Sequence, residues 1–228
     1  MLILFDIDGT LLTTYGAGMR ALERAVQQVL GVTFEASGIR PDGSTDPLLV
    51  RELLRRQKIA GSEWPRVEAE IWPWFEEFTQ EELATAQRLI YPGVEELLEE
   101  LFVTPGVGLG LLTGNLESTA RMKLDLFGLN RYFPTGAFAS DCADRCRLAR
   151  IAVERGRRHY AQDYRAEHVW VIGDTPRDVE AGRAVGARSI AVATGSYGVE
   201  ILQEHMPTHA LKDLSDTRGV IELLLGKR

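Results

Sequence analysis

The first ten residues constrain this chain more than any other stretch. The apolar run Leu2-Ile3-Leu4-Phe5 is followed at once by Asp6-Ile7-Asp8-Gly9-Thr10. The run predicts a buried β-strand, and the residues after it predict a tight turn. Stability does not explain the two aspartates, because aspartate is a poor strand former and like charges this close repel each other. A simple polar turn is the alternative, but a carboxylate pair is typical of sites that hold a divalent cation or divide nucleophilic from acid–base work.

Three further apolar runs of strand length follow the first one. They lie at residues 108–112, 169–172 and 189–192, and a helical pattern at 174–185 separates the last two. Strands that are apolar on both faces and alternate with helices predict a parallel sheet covered on both sides. The unit from 169 to 192 predicts a right-handed β-α-β connection. We therefore expect an α/β fold in which helices flank a parallel sheet.

About 100 residues separate Asp8 from the strand at 108–112, far more than a simple crossover needs. Most of them have helical periodicity, including a helix starting at Asp46-Pro47 and an aromatic-rich one in which Pro73 predicts a kink or break. We expect its aromatic side chains to pack the helices together, and a ligand pocket is the alternative. The stretch predicts a helical insertion at residues 14–90, with residues 1–13 and 91–228 forming the core.

Polar residues follow three of the predicted strands. Asp6 and Asp8 follow the first, Thr113-Gly114-Asn115 follows the second, and Asp174 and Asp178 follow the run at 169–172. Ligands of open parallel sheets bind outside the carboxyl ends of the strands, so these residues are expected to share one edge. Taken singly, Thr113 could cap a helix and Asp178 could favour a helix N-terminus. Their recurrence after three strands indicates a common site.

These motifs resemble those of a known family. D-I-D-G-T, L-L-T-G-N and I-G-D-T-P-R-D are similar, in this order, to the sequential motifs of the haloacid dehalogenase-like superfamily, whose members are chiefly phosphatases. The helical insertion resembles the first type of cap in that family. Gly43-Ser44-Thr45-Asp46 is similar to a G-x-T-D turn of phosphoglycolate-phosphatase-like members. The resemblance spans nearly the whole chain and implies a Rossmann-like core with an inserted helical cap domain.

The resemblance and the chemistry of a phosphate monoester together imply a metal site. A phosphate monoester is a dianion, so a carboxylate approaches it only when a cation neutralises both. Mg²⁺ is expected on one oxygen of Asp6, the backbone carbonyl of Asp8 and the carboxylate of Asp174. Asp178 is expected to order the waters of the metal or to bind it directly.

The other roles follow the same chemistry. The free oxygen of Asp6 is expected to attack phosphorus and form an aspartyl-phosphate. Asp8 is expected to protonate the leaving alcohol and then to deprotonate the water that hydrolyses the intermediate. The hydroxyl of Thr113 and the backbone amides of Gly114 and Asn115 are expected to hold the phosphoryl oxygens.

One residue of the family pattern is missing. Family members usually carry a lysine before the fourth strand, often as Lys-Pro, whereas residues 140–147 of this chain offer only arginines. We expect Arg145 to take this place, with Arg147 as the second choice. Arginine clamps phosphate in a bidentate way and keeps its charge, but it is bulkier than lysine. The alternative is that Arg145 is a surface residue paired with Asp141 or Asp144.

Charge and hydropathy limit the partners. The formal net charge of −7 argues against a nucleic-acid binder and against a polybasic membrane anchor. No segment approaches the ~18–20 apolar residues of a membrane span, and no signal-peptide pattern precedes the first strand. We therefore expect a cytoplasmic monomer or homodimer that acts on a small phosphorylated metabolite.

The expected function is Mg²⁺-dependent hydrolysis of a phosphoglycolate-like compound or a sugar phosphate. A phosphomutase, which protects its aspartyl-phosphate from water, is the first alternative, and a non-catalytic member, favoured only by the missing lysine, is the second. Dehalogenation needs neither an acid at Asp8 nor a metal, so these acidic residues argue against it. Glycines 16, 18 and 93 are expected at hinges. Candidates for contact with the leaving group are Tyr15, Arg20, Arg40, Thr45 and Asp46.

Overall fold

The computed structural model describes residues 1–32 and 43–226. Its strands are β1 (Leu2–Phe5), β2 (Leu12–Thr13), β3 (Leu89–Ile90), β4 (Gly108–Leu112), β5 (Gly136–Ala137), β6 (Val169–Gly173), β7 (Arg188–Val192) and β8 (His209–Leu211). Its helices are α1 (Ala17–Leu30), α2 (Asp46–Arg56), α3 (Trp64–Thr85), α4 (Val94–Val103), α5 (Glu117–Asp125), α6 (Arg145–Tyr160), α7 (Pro176–Arg183), α8 (Val199–Glu204) and α9 (Thr217–Leu225). Within the described ranges, no helix is both long and apolar enough to cross a membrane.

The predicted parallel sheet is confirmed. Six strands lie in the order β5-β4-β1-β6-β7-β8, and every neighbouring pair is parallel. The first strand is central, because Leu2 pairs with Gly108 on one side and with Val169 on the other. The two edge strands, β5 and β8, were not predicted, since two or three residues are too few to show a periodic pattern.

The central strand shows why both faces of the sheet are covered. Side chains alternate between the faces of a strand. Leu2 and Leu4 lie in an apolar cluster with residues of α6, while Ile3 and Phe5 lie in a second cluster with residues of α4, α5 and α9. Each face of β1 is therefore buried under helices, and the strand is apolar throughout for that reason.

Helices α1, α2 and α3 form a third apolar cluster of their own, which also contacts Leu116 and Ala139 of the sheet region. Phe75 is buried in this cluster and Trp72 packs against it, so both residues pack these helices together as predicted. Phe75 also lines the cavity described below, as the alternative expected. Of the kink or break predicted at Pro73, the break is wrong, because α3 continues through that residue, and the kink stays a prediction. Arg24 lies 4.1 Å from the ring of Phe78 and joins α1 to α3.

Two short strands frame this helical segment. Leu12 of β2 pairs with Ile90 of β3, and Thr13 pairs with Leu89, in an antiparallel arrangement. The chain thus leaves the sheet region and returns to it at adjacent points. This arrangement supports our proposal that residues 14–90 form an inserted cap.

The return from these helices depends on Gly93, the residue before α4. Gly93 has φ of 81°, and a Cβ atom there would overlap the backbone carbonyl of Leu214. Only glycine combines this backbone angle with such a close approach.

We predict that Gly93→Ala lowers the free energy of unfolding by about 2–4 kcal/mol, because it adds a backbone clash to the cost of a left-handed alanine. Gly106→Ala is a matched control, since Gly106 has φ of 80° and open space around it. The control should lose only about 1 kcal/mol. Urea denaturation of both variants checks the difference, and equal losses would contradict the role of the Leu214 contact.

Candidate active site

The parallel strands bring the predicted residues to one edge of the sheet. Asp6 and Asp8 follow β1, Thr113 follows β4, and Asp174 follows β6. All four line one cavity of about 530 Å³, which Gly114, Asn115 and Arg145 also line. Asp178 lies beneath this surface and is almost fully buried.

Three of the carboxylates form a compact group. Asp6, Asp174 and Asp178 can each offer an oxygen, and these oxygens lie within 4.8 Å of one another. Glycine turns make this spacing possible, because a Cβ atom on Gly9 or on Gly195 would overlap the carboxylate of Asp174. The group is a candidate site for a divalent cation, since Mg²⁺ and Ca²⁺ prefer carboxylate oxygens.

Burial changes the acidity of this group. Loss of water raises the pKa of the Asp6 carboxyl from 3.8 to about 6, and the neighbouring carboxylates of Asp178 and Asp8 act in the same direction against Arg145. Burial also raises the pKa of Asp174 well above its ordinary value, with further contributions from Asp178 and Asp6. The carboxylates therefore lie in an environment that favours added positive charge.

Arg145 supplies one positive charge. The Nη2 atom of Arg145 lies 2.5 Å from Oδ1 of Asp178 and 3.1 Å from Oδ1 of Asp6. Arg145 is buried at the start of α6, so it is not the surface residue of the alternative interpretation. Three carboxylates and one guanidinium leave two negative charges unbalanced when all are ionised.

The other residues of that stretch have different contacts. Arg147 is exposed. Asp141 pairs with Arg155 at 2.6 Å, and Asp144 caps α6 by accepting a hydrogen bond from the backbone N–H of Arg147. Arg145 is thus the arginine of residues 140–147 that contacts the carboxylate group.

Asp178 lies at the start of α7, as one of its alternatives expected, and its role at a metal ion stays a prediction. Its Oδ2 accepts hydrogen bonds from the backbone N–H and the hydroxyl of Thr175, which caps α7. Its Oδ1 contacts Arg145. One carboxylate therefore fixes the start of the helix and takes part in the charged group.

Sequence reasoning missed Lys123. Its Nζ lies 2.6 Å from Oδ2 of Asp8 and donates to Oδ1 of Asn115 at 2.8 Å, and the side chain is buried. Asn115 completes the contact by donating to Asp8 at 2.7 Å and to the hydroxyl of Thr113 at 2.9 Å. A signal was present, because Lys123 falls on the same helical stripe as the apolar residues Leu116 and Ala120.

The start of α2 is bonded to the loop after β4. The backbone N–H of Asp46 donates to the carbonyl of Gly114, and the carboxylate of Asp46 accepts from the N–H of Leu116, both at 2.9 Å. Burial raises the pKa of Asp46 to about 6, although Lys123 and the Leu116 amide act in the opposite direction. The helical insertion and the loop after β4 are thus joined by short polar contacts.

The candidates for contact with the leaving group separate in the structure. Tyr15 and Asp46 line the cavity. Arg20 lies outside its lining and pairs with Glu82 at 2.9 Å, and the buried hydroxyl of Thr45 donates to the carbonyl of Ala143. Arg40 lies outside the described residues.

The expected hinge glycines have two different settings. Gly16 and Gly93 precede α1 and α4 with positive φ, and Gly18 lies beside the ammonium of Lys123. Their function as hinges stays a prediction.

Comparison with known proteins identifies the family. The model of the haloacid dehalogenase-like hydrolases matches residues 1–186. The chain therefore belongs to this family of hydrolases, and the resemblance seen in the motifs is confirmed.

Individual relatives cover almost the whole chain. A 5′-nucleotidase of Pseudomonas aeruginosa is 28% identical over 224 residues, which are 96% of this chain and 95% of that protein. A phosphoglycolate phosphatase of Synechococcus elongatus is 25% identical over 229 residues, 98% of each chain. The crystal structure of a hydrolase from Pseudomonas syringae, at 18% identity, matches 98% of this chain and 99% of its own with a TM-score of 0.69. This last likeness concerns the fold alone.

The raised pKa of Asp46 predicts a pH-dependent effect of Asp46→Asn. Between pH 4 and pH 6 the folded protein holds a proton on Asp46 that the unfolded chain releases, so the stability contributed by this group falls as pH rises. The asparagine variant lacks this loss. We expect its free energy of unfolding, relative to wild type, to rise by up to about 3 kcal/mol across this interval and to stay level above pH 7.

Urea unfolding at a series of pH values measures this difference. Asp163→Asn is the matched control, because the side chain of Asp163 is 88% exposed. The control and wild type should give parallel curves. Parallel curves for Asp46→Asn as well would show that folding leaves the pKa of Asp46 unchanged.

Proposed function

We propose that this hydrolase is a Mg²⁺-dependent phosphatase that acts on a small phosphorylated metabolite, such as a phosphoglycolate-like compound or a sugar phosphate, through an aspartyl-phosphate. The observation that carries the proposal is the buried group of Asp6, Asp174 and Asp178 with Arg145 against it, at the edge of the sheet where α/β proteins bind ligands. Within its family, the chain is a phosphoric monoester hydrolase, and relatives named 5′-nucleotidase and phosphoglycolate phosphatase support this class.

The three buried carboxylates fit a divalent cation. Their oxygens lie within 4.8 Å of one another, burial disfavours the ionised forms of Asp6 and Asp174, and Arg145 balances only part of the charge of the group. In this proposal, Asp6, Asp174 and the backbone carbonyl of Asp8 hold Mg²⁺, and Asp178 orders the waters of the ion or binds it directly. When bound there, the cation would offset the charge of the phosphate dianion and so permit an anionic nucleophile to approach it.

Asp6 is the proposed nucleophile. Its buried carboxylate contacts Arg145 through Oδ1 and lines the cavity, so its side chain is both oriented and within reach of a bound substrate. Attack by Asp6 on phosphorus forms the aspartyl-phosphate and expels the leaving alcohol.

Asp8 is the proposed acid–base residue. Its side chain is 43% exposed, in contrast to the buried Asp6, and it lines the same cavity. Lys123 and Asn115 both contact its Oδ2, which leaves Oδ1 to give a proton to the leaving oxygen and later to take one from water.

The phosphoryl group is proposed to lie against the loop after β4. The hydroxyl of Thr113 and the backbone amides of Gly114 and Asn115 supply donors there, and Arg145 borders the same loop by donating to the carbonyl of Leu112 at 3.4 Å. Arg145 thereby takes the place of the family lysine in the proposal. Fixed donors of this kind stabilise charge as it spreads over the phosphoryl oxygens.

Asp6→Asn tests the proposal directly. With a panel of phosphorylated two- to six-carbon metabolites, wild type should release phosphate in Mg²⁺ and not in EDTA. The variant should lose roughly 10³-fold or more of this rate, because the amide is a poor nucleophile. Asp163→Asn should keep the wild-type rate. Phosphate release that Asp6→Asn leaves intact would refute the assigned nucleophile.

Lys123 is proposed as a positioning residue for Asp8. Lys123→Met should lower kcat by roughly 10–100-fold with little change in KM, because a displaced acid–base group slows chemistry more than binding. Lys212→Met, at an exposed position, is the control. Thermal unfolding shows whether the variant is folded, and an unchanged kcat in a folded variant would exclude the proposed role.

A further inference from the structure

The charges that line the cavity are unevenly distributed. Among the described residues, the acidic side chains in its lining are Asp6, Asp8, Asp46 and Asp174, and the basic ones are Lys123 and Arg145. Both cations are already engaged, since Lys123 contacts Asp8 at 2.6 Å and Arg145 contacts Asp178 and Asp6. A second anionic group on the substrate would find no unpaired lysine or arginine among the described residues that line the cavity.

Beyond these charged groups, the lining consists of glycines, uncharged polar residues, and apolar and aromatic side chains. The apolar and aromatic side chains that come from the helical insertion and its flanking segments are Tyr15, Met19, Leu49, Phe75, Leu89 and Tyr91. Tyr15 is 55% exposed and Leu89 is 45% exposed, so two large side chains are open to whatever enters. Covering this exposed carbon surface with an uncharged group lowers the free energy, because apolar surface leaves water. A carboxylate placed against the same surface would lose hydration without gaining a charged partner.

The backbone holds Tyr15 in place at some cost. Tyr15 has φ of 48°, a left-handed conformation that bulky residues rarely adopt. Its N–H donates to the hydroxyl of Thr13 at 3.1 Å, and its carbonyl accepts from Nη1 of Arg20 at 2.8 Å. Arg20 is fixed in turn by Glu82. The ion pair thus supports the segment that presents the phenol ring to the cavity.

We propose that the substrate is a phosphate monoester whose leaving group is uncharged and packs its carbon surface against Tyr15 and Leu89. This inference rests on the proposed phosphatase function and narrows it. Of the two substrate classes that remain open, it selects the neutral, sugar-phosphate-like class over phosphoglycolate, whose leaving group carries a carboxylate.

Two matched pairs of substrates test the proposal. The pairs are 2-hydroxyethyl phosphate with 2-phosphoglycolate, and phenyl phosphate with 3-carboxyphenyl phosphate. Within each pair, the members have similar size and differ by one carboxylate. In wild type, kcat/KM for the neutral member should exceed that for the carboxylated member by roughly tenfold or more, because an unpaired carboxylate must lose water.

A charge-adding variant gives the converse result. Leu89→Arg should shift the ratio of kcat/KM within each pair by roughly tenfold toward the carboxylated member, since the partly exposed position tolerates arginine and the new cation faces the leaving group. Val103→Arg is the control, because it adds the same charge at a 75% exposed position at the end of α4. This position lies near the amino-terminal ends of the strands, whereas the cavity lies at their carboxyl ends, so the ratio should stay unchanged.

The outcomes separate this inference from the function on which it rests. Faster hydrolysis of both carboxylated members by wild type would overturn the inference and leave the phosphatase assignment standing. An unchanged ratio of kcat/KM values in Leu89→Arg would overturn the placement of the leaving group against Tyr15 and Leu89. Release of phosphate from the metabolite panel but from none of the four compounds would overturn the inference alone. Release of phosphate from neither set would overturn the proposed function as well.

Discussion

The contact of Arg145 with Asp6 and Asp178 is the interaction on which the rest of the site depends. Buried charges lose several kcal/mol of hydration each, and they are tolerated only where partners replace the lost water. One guanidinium contacts two carboxylates here, and the third, Asp174, accepts a hydrogen bond from Thr10 at 3.1 Å. The remaining negative charge makes a divalent cation a suitable partner. The glycine turns follow from the same requirement, since bulkier residues would keep the carboxylates apart.

A second polar group connects this site to the helical insertion. Lys123 lies between Asp8 and Asn115 and beside Gly18 of α1, while Asp46 at the start of α2 is bonded to the loop after β4. The core therefore supplies the groups proposed for chemistry, and the insertion supplies most of the apolar wall. In this proposal, the core end of the cavity holds the reacting groups, and the insertion end contacts the leaving group.

The sequence predicted the parts of the fold that have a long or strongly periodic pattern. The apolar runs at β1, β4, β6 and β7 were found, and so were the helical stripes of the insertion. The prediction failed where local rules were outweighed by tertiary packing. Pro73 lies inside α3, whose apolar face is held by α1 and α2, and packing of that face offsets the lost hydrogen bond. Lys123 was missed because a lysine on a helix is usually solvated, and only the fold shows what lies opposite it.

By itself, the sequence determined the chemistry available to this protein: an acidic pair after the first strand, a Thr-Gly-Asn loop, and two further aspartates at a helix start. Residue type and spacing along one strand or helix are local properties, so they can be inferred from the chain alone. Only the tertiary structure decided which charges neutralise one another, that Arg145 rather than Arg147 contacts the carboxylates, and that Lys123 contacts Asp8. These pairings join residues more than 30 positions apart, and electrostatic energy depends on distance in space and on burial, which folding sets.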